Sequence, residues 1–114
     1  GQEKIFCCFN ATARDYALVG QLILDNGLAQ GKQIIPPIWN ARLATPVVKL
    51  DRNWGYGAQM WHPYPNTSML LGLHGQHVLI VPETKSVIVK LSDDLNSENE
   101  GAVTEVMYGL AMRS

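Results

Sequence analysis

The chain has 114 residues, of which 46% are hydrophobic and 17% charged, a composition typical of a globular domain and not of a disordered tail. Nine Lys and Arg against ten Asp and Glu give a net charge of -1, so the sequence predicts neither a nucleic-acid partner nor a membrane partner. Cys7 and Cys8 are adjacent, which disfavours a disulfide between them and leaves the redox compartment open.

The first 46 residues predict helices. A helix is expected over residues 12–26, where Thr12 and Asp15 have capping-box spacing and Asn26-Gly27 is a stop signal. Residues 32–35 predict a short extended run. Pro36-Pro37 then fits the first turn of a second, short helix that ends before Pro46. The apolar positions that recur at helical spacing in the first helix are Leu18, Val19, Leu22 and Ile23.

Residues 54–92 predict antiparallel strands. The alternation between Trp54 and Trp61 predicts one strand that packs through large aromatic side chains. A second strand region, 70–81, is broken between Gly72 and Gly75 and closed by Pro82. The turn residues 83–85 then lead into the β-branched run 87–91, so the pair is expected to form a hairpin.

Residues 97–114 predict a last helix that lies on the sheet. Ser97 and Glu100 have capping-box spacing. The apolar face is expected to contain Val103, Val106, Met107 and Leu110. Helices, then antiparallel strands, then a closing helix give an α+β arrangement, and no linker divides residues 1–114.

Residues that could carry catalysis or bind a metal are few. Neither Ser-x-x-Lys nor Gly-x-Ser-x-Gly occurs, so the chain shows no obvious nucleophile. His74 and His77 form an H-x-x-H, but residues three apart on a strand point to opposite faces, which disfavours a metal site. We therefore expect no metal or cofactor, and expect His62 and His77 to be surface or hydrogen-bonded residues.

Two further groups of residues allow a structural and a functional interpretation. Gly72 and Gly75, at the start of a strand, form either a bulge or a place where backbone N–H groups reach a ligand. The aromatic side chains between residues 54 and 64 line either a cleft or, as we expect, the core. They are Trp54, Tyr56, Trp61 and Tyr64.

A set of spaced motifs runs over nearly the whole chain. The motifs are Thr12-Ala13-Arg14-Asp15, Gly20-Gln21-Leu22, Asn26-Gly27, Gly31-Lys32-Gln33-Ile34, Pro36, Trp54-Gly55-Tyr56-Gly57, Trp61, Gly72, Gly75-Gln76, Val81-Pro82-Glu83 and Val87-Ile88-Val89. Their order and spacing resemble those of serine hydrolases of the β-lactamase and penicillin-binding-protein superfamily. Within it, the resemblance is to the branch of 6-aminohexanoate-dimer hydrolases and related carboxylesterases.

This resemblance implies the C-terminal portion of a β-lactamase/transpeptidase-like fold and an enzyme that cleaves amides or esters through an acyl-enzyme. The family's nucleophile, the Ser of Ser-x-x-Lys, its lysine and its assisting tyrosine lie upstream of the matched region. The chain alone is then expected to be inactive. Tyr64-Pro65-Asn66 spells Tyr-x-Asn, but at a place where the family does not keep its tyrosine.

The resemblance also implies the site residues. Gly72 matches the glycine of the family's third motif, so Leu73 is the expected backbone oxyanion donor; a shifted alignment puts the glycine at Gly75 and the donor at Gln76. The expected substrate-binding residues are Gly72, His74, Gly75 and Gln76. Leu70 stands where the family has Lys or His. This departure disfavours recognition of a β-lactam carboxylate.

The implied partners are a small amide or ester substrate and the missing N-terminal part of the same protein, with self-association as a further possibility. The alternative interpretation is a non-catalytic scaffold or interaction module of the same fold. The sequence leaves the compartment, periplasmic or cytoplasmic, undecided.

Overall fold

The computed structural model describes residues 12–49, 54–72, 76–91 and 100–113. Helix α1 spans Ala13–Leu24, and the Thr12 hydroxyl accepts a hydrogen bond from the Asp15 N–H at 3.1 Å, as the capping spacing predicts. Asn26 and Gly27 both have positive φ, and the Gly27 N–H donates to the Leu22 carbonyl at 2.8 Å. This left-handed turn ends the helix where the sequence predicts.

A small hairpin separates the two helices of the first part. Strands β1 (Leu28–Ala29) and β2 (Lys32–Gln33) pair antiparallel around Gln30 and Gly31, which both have positive φ. The extended run predicted at residues 32–35 contains β2, whereas β1 is not predicted from the sequence. Helix α2 (Pro37–Leu43) starts and ends as predicted.

Within the described residues, six strands form an antiparallel sheet in which each strand lies beside its neighbours in the chain. They are β3 (Val48–Lys49), β4 (Gly55–Gly57), β5 (Met60–His62), β6 (Ser68–Gly72), β7 (Gln76–Val81) and β8 (Ser86–Lys90). A 3-10 turn at Pro82–Thr84 and the left-handed Lys85 connect β7 to β8. The predicted hairpin is therefore confirmed.

The prediction of one strand from Trp54 to Trp61 is wrong. Ala58 and Gln59 both have positive φ and form a tight turn, so β4 and β5 fold back on each other. The turn places Tyr56 opposite Trp61, with ring centroids 4.9 Å apart, and Trp54 contacts the edge of Trp61 at 5.9 Å. Trp54 lies in the hydrophobic core and Trp61 packs against it, which confirms the core interpretation for both.

Helices cover the two faces of the sheet. Helix α1 packs on β7 and β8, where Gly20 lies against Val87 and Val78; we call this side the α1 face. Helix α3 (Glu100–Met112) packs on the same strands from the other side, the α3 face, where Leu79 and Met107 are core residues. The α+β fold class is therefore confirmed. No helix among the described residues has the length and apolar character to span a membrane.

The buried side of α3 differs from the predicted one. Met107 is buried and Val103 packs against the core, but Val106 and Leu110 are 64% and 52% exposed. Thr104 and Ala111, one turn before and one turn after Met107, are buried instead. The expectation that Val106 and Leu110 lie on the sheet is wrong, because α3 is rotated so that its smaller residues face the strands. Ser97, Cys7 and Cys8 lie outside the described residues.

Candidate functional site

The predicted site residues occupy positions 72–76 of the sequence, from the last residue of β6 to the first residue of β7. Gly72 and Gln76 are register partners at the last described pair of this hairpin. The alternation of side chains along the strands places both of them on the α1 face, with Leu70 and Val78. Leu73, His74 and Gly75 lie outside the described residues, so the structure brings together two of the five predicted site residues.

Leu70, the residue that the resemblance aligns with a Lys or His of the family, is apolar. Leu70 pairs with Val78 and is half-buried on the α1 face, two residues before Gly72. An aliphatic side chain offers no charge to a substrate carboxylate. Any recognition of such a group at this point of β6 must come from other residues.

A second polar cluster lies near the other end of β6, around the buried His62. The His62 Nδ1 lies 3.1 Å from the Thr67 carbonyl oxygen and 3.5 Å from the Ser68 hydroxyl. A carbonyl can only accept, so Nδ1 carries the proton and donates to Thr67. The expectation that His62 is a hydrogen-bonded residue is confirmed. Its Nε2 is buried and has no hydrogen-bond partner.

The contact between His62 and Ser68 does not form a nucleophile–base pair. A catalytic base accepts the serine proton at about 2.6–3.2 Å through a ring nitrogen that has a free lone pair. Here the facing nitrogen, Nδ1, is 3.5 Å away and already holds its proton toward Thr67. The role of His62 is instead structural, because its hydrogen bond to the Thr67 carbonyl links the end of β5 to the residue before β6.

Tyr64, in the same loop, packs away from the α1 face. Its ring stacks on Tyr108 of α3 with centroids 4.0 Å apart and an interplanar angle of 22°. Burial, together with Glu105 and Tyr108, raises the pKa of Tyr64, whereas a tyrosine base needs a lowered pKa. Tyr64, the tyrosine of the Tyr-x-Asn sequence at residues 64–66, therefore has a structural role.

An open cavity of about 420 Å³ lies between residues 44–49 and the loop 62–67, with Gly55 on its wall. The prolines at positions 46, 63 and 65 contribute much of its apolar lining, and Lys49 supplies a cation. Sequence reasoning did not find this cavity or the His62 cluster. The available signal was the pair of prolines that brackets Tyr64 immediately after a strand.

His77, the second residue of the H-x-x-H, is buried and points to the α3 face opposite Leu71. Its partner in the motif, His74, lies outside the described residues. Within the described ranges, no three His, Cys, Asp or Glu side chains come together as metal ligands.

The buried His62 predicts a pH-dependent stability. Burial lowers the pKa of His62, and the bond to Thr67 opposes this shift only in part. The unfolded chain then binds a proton near pH 6.5 that the folded chain does not, so the free energy of unfolding falls as the pH drops below about 6.5. The slope from one such group is at most about 1.4 kcal/mol per pH unit.

Urea unfolding between pH 7.5 and pH 5.5, above the range where carboxylates titrate, measures this slope. His62→Gln cannot titrate, so we expect it to flatten the pH dependence. An identical slope in the variant and the parent chain would show that another group is responsible.

Comparisons with known proteins identify the family. No protein-family model matches the chain. The chain is 33% identical to the 6-aminohexanoate-dimer hydrolase of Paenarthrobacter ureafaciens, over 73% of this chain and 24% of that protein. Its fold matches the solved "putative 6-aminohexanoate-dimer hydrolase" of Bacillus anthracis with a TM-score of 0.76 and 34% identity, over 90% of this chain and 29% of the other.

The chain thus spans about a quarter of the length of the relatives that it matches. The sequence match and the structural match agree on the same family, and the identity in both exceeds 30%. The chain belongs to the 6-aminohexanoate-dimer hydrolase family and corresponds to a C-terminal part of such a protein.

Proposed function

We propose that the chain is the part of a serine hydrolase that carries the oxyanion-hole strand, and that the full-length protein cleaves an amide or ester bond. The observation that carries this proposal is the β6–β7 hairpin, in which Gly72 and Gln76 pair at the end next to Leu73. Two further points support it. Gly72-Leu73 resembles the end of the family's third motif, and the relatives of this chain are named as hydrolases.

The proposed reaction is acyl transfer. A serine in the part of the protein upstream of this chain attacks the substrate carbonyl, and its proton passes through the neighbouring lysine to the leaving amine or alcohol. The Leu73 N–H, or in the shifted alignment the Gln76 N–H, donates to the negatively charged carbonyl oxygen in the tetrahedral intermediate. Water then attacks the acyl-enzyme and releases the carboxylic acid, which regenerates the serine.

The substrate class follows from the names of the relatives and from Leu70. A dimer of 6-aminohexanoate is joined through an amide, so a small linear amide is the first substrate to test. Because Leu70 provides no cation, the proposal does not include a β-lactam carboxylate held at this position. His74, next to the proposed donor, shapes the substrate pocket.

The proposal places the nucleophile outside this chain. Of the serines in the described ranges, Ser68 is buried beside a histidine that already donates elsewhere. Ser86 accepts from the Thr84 hydroxyl at 2.9 Å in the turn before β8 and has no base within the contacts of that turn. Catalysis therefore requires the N-terminal part of the protein as an intramolecular partner.

Labelling with a fluorophosphonate, followed by peptide mass mapping, tests this proposal on the full-length protein and on the 114-residue chain. We expect the full-length protein to be labelled on a serine upstream of this chain and to cleave a p-nitrophenyl ester, and we expect the chain alone to do neither. A folded full-length protein that is not labelled supports the non-catalytic scaffold instead. Labelling of a serine within the 114 residues would refute the proposed division of the site.

A further inference from the structure

The turn that ends α1 contains Asn26-Gly27, the one Asn-Gly pair in the sequence. Asn-Gly is the dipeptide in which an asparagine side chain deamidates most readily, because glycine has no Cβ to obstruct attack by its own backbone nitrogen. Asn26 is exposed and has a φ of 60°. The pair therefore combines a reactive side chain with a backbone conformation that decides whether the reaction can occur.

The fold requires glycine at position 27. Gly27 has a φ of 82°, and a Cβ there would overlap the Ile35 carbonyl oxygen and lie 3.0 Å from the Gln33 Nε2. The Gly27 carbonyl accepts hydrogen bonds from the Ile34 and Ile35 N–H groups at 2.8 and 3.1 Å. Because this position cannot take a larger residue, the glycine of the reactive pair is fixed. Protection of the pair must come from the groups that surround it.

Both ends of the peptide unit between Asn26 and Gly27 are hydrogen-bonded. The Gly27 N–H donates to the Leu22 carbonyl at 2.8 Å, and the Asn26 carbonyl accepts from the Gln33 Nε2 at 2.9 Å. The same Nε2 also donates to the Ile35 carbonyl. Both of its partners are carbonyl oxygens, which only accept, so the side-chain nitrogen is the group that faces them. Gln33 thus holds one end of the peptide plane and helix α1 holds the other.

We infer that Asn26 is a deamidation site that the native turn keeps closed, and that Gln33 is the residue that keeps it closed. This inference does not rest on the proposed catalytic function. In the reaction, the Gly27 backbone nitrogen loses its proton to solvent and attacks the Asn26 Cγ. The new N–C bond closes a succinimide ring, and the side-chain nitrogen leaves as ammonia. Water then opens the ring to aspartate or isoaspartate, so no further reactant is needed.

The closed turn blocks the first step. A left-handed backbone at Asn26 places the Gly27 nitrogen on the side away from the Asn26 side chain. Ring closure requires the peptide plane to rotate, and this rotation breaks the bonds to Leu22 and Gln33. Deamidation is therefore expected only after the turn has opened, locally or by unfolding. Isoaspartate adds an atom to the main chain and a carboxylate next to Asp25, so the same turn cannot re-form.

Incubation of the full-length protein in mildly alkaline buffer, followed by peptide mass mapping, measures the conversion of Asn26. We expect the folded protein to deamidate at Asn26 at least about tenfold more slowly than the protein in guanidinium chloride, since opening breaks several hydrogen bonds. Gln33→Glu keeps the size of the side chain but replaces the donor by a carboxylate that only accepts. We expect this variant, when folded, to deamidate about three- to tenfold faster, the factor that corresponds to one hydrogen bond.

Two variants that keep the Gln33 bond are the controls. Gln21→Ala removes another glutamine at the same end of α1, whose Nε2 donates to the Asp25 carboxylate at 3.0 Å. Thr12→Ala removes the cap at the other end of α1 and lowers the stability of the helix without touching the turn. Both variants are expected to deamidate at Asn26 at the rate of the parent protein.

Far-UV circular dichroism checks that each variant is folded, and Gln33→Ala is the second variant if Gln33→Glu does not fold. Three results would overturn the inference. The first is a folded parent protein that deamidates as fast as the unfolded one. The second is a folded Gln33 variant that deamidates at the parent rate. The third is a Thr12→Ala variant that is accelerated as much as the Gln33 variant, which would assign the rate to the general stability of α1.

Discussion

Replacing Leu73 with proline in the full-length protein is expected to lower kcat by about 10²–10³, equivalent to about 2.7–4 kcal/mol of transition-state stabilisation. Proline has no N–H, so the substitution removes the proposed oxyanion donor without changing a charge. The donor acts on the negative charge that develops in the transition state, so KM should change much less than kcat. Steady-state kinetics with a p-nitrophenyl ester and with a linear amide measure both constants.

Two companion variants separate the loss of the donor from damage to the hairpin. Leu73→Ala keeps the backbone N–H, and we expect its kcat to remain within about tenfold of the parent value. Gln76→Pro tests the shifted alignment, in which the Gln76 N–H is the donor. A full loss of kcat in Gln76→Pro with activity retained in Leu73→Pro would move the donor to Gln76. Activity retained in both proline variants would remove the hairpin from the proposed mechanism.

Replacing Gly20 with valine is expected to destabilise the fold by about 3 kcal/mol, the upper end of the usual cost of overpacking. A Cβ at this position would lie 2.6 Å from the Val87 Cγ1 and 3.2 Å from the Val78 Cγ1. The valine side chain is short and its χ1 rotation is restricted, so these methyl groups cannot move aside as the end of a long side chain would. Either α1 must move off the sheet or β7 and β8 must shift.

The matched control is Gly109→Val, which makes the same substitution inside α3. A Cβ at Gly109 meets no atom within 4 Å, so the new side chain points into open space. Valine also has a better helix propensity than glycine, and we expect stability to stay equal or to rise by about 0.5 kcal/mol. Urea unfolding of both variants measures the difference. Equal destabilisation would mean that the cost comes from the helix itself and not from the contact with Val87.

The sequence predicted the elements whose signals are local. The capping spacing at Thr12 and the stop at Asn26-Gly27 placed both ends of α1, because both depend on residues within one helical turn. The β7–β8 hairpin was predicted for the same reason. The turn at Ala58-Gln59 was missed because neither residue is a typical turn former, and the left-handed backbone there is imposed by the pairing of Tyr56 with Trp61.

Predictions that depend on tertiary contacts were less successful. The apolar pattern of α3 allows several rotations of the helix, and only packing against Met69 and Leu79 selects the one that buries Thr104. The cluster at His62 could not be predicted, because it forms where a strand end, a proline-rich loop and the start of β6 meet. The proposed oxyanion donor, Leu73, came from the resemblance and not from spacing alone, since two glycines three residues apart also fit a bulge.

The chain-order arrangement of the six-stranded sheet has a consequence for how the chain reaches its fold. Every described pairing in this sheet joins consecutive strands, so each one closes a short loop and involves little loss of chain entropy. Helix α1 is different, because its contacts with β7 and β8 span most of the described chain. We therefore expect the hairpins to form early and α1 to dock last, which makes Gly20 a residue whose substitution accelerates unfolding more than it slows folding.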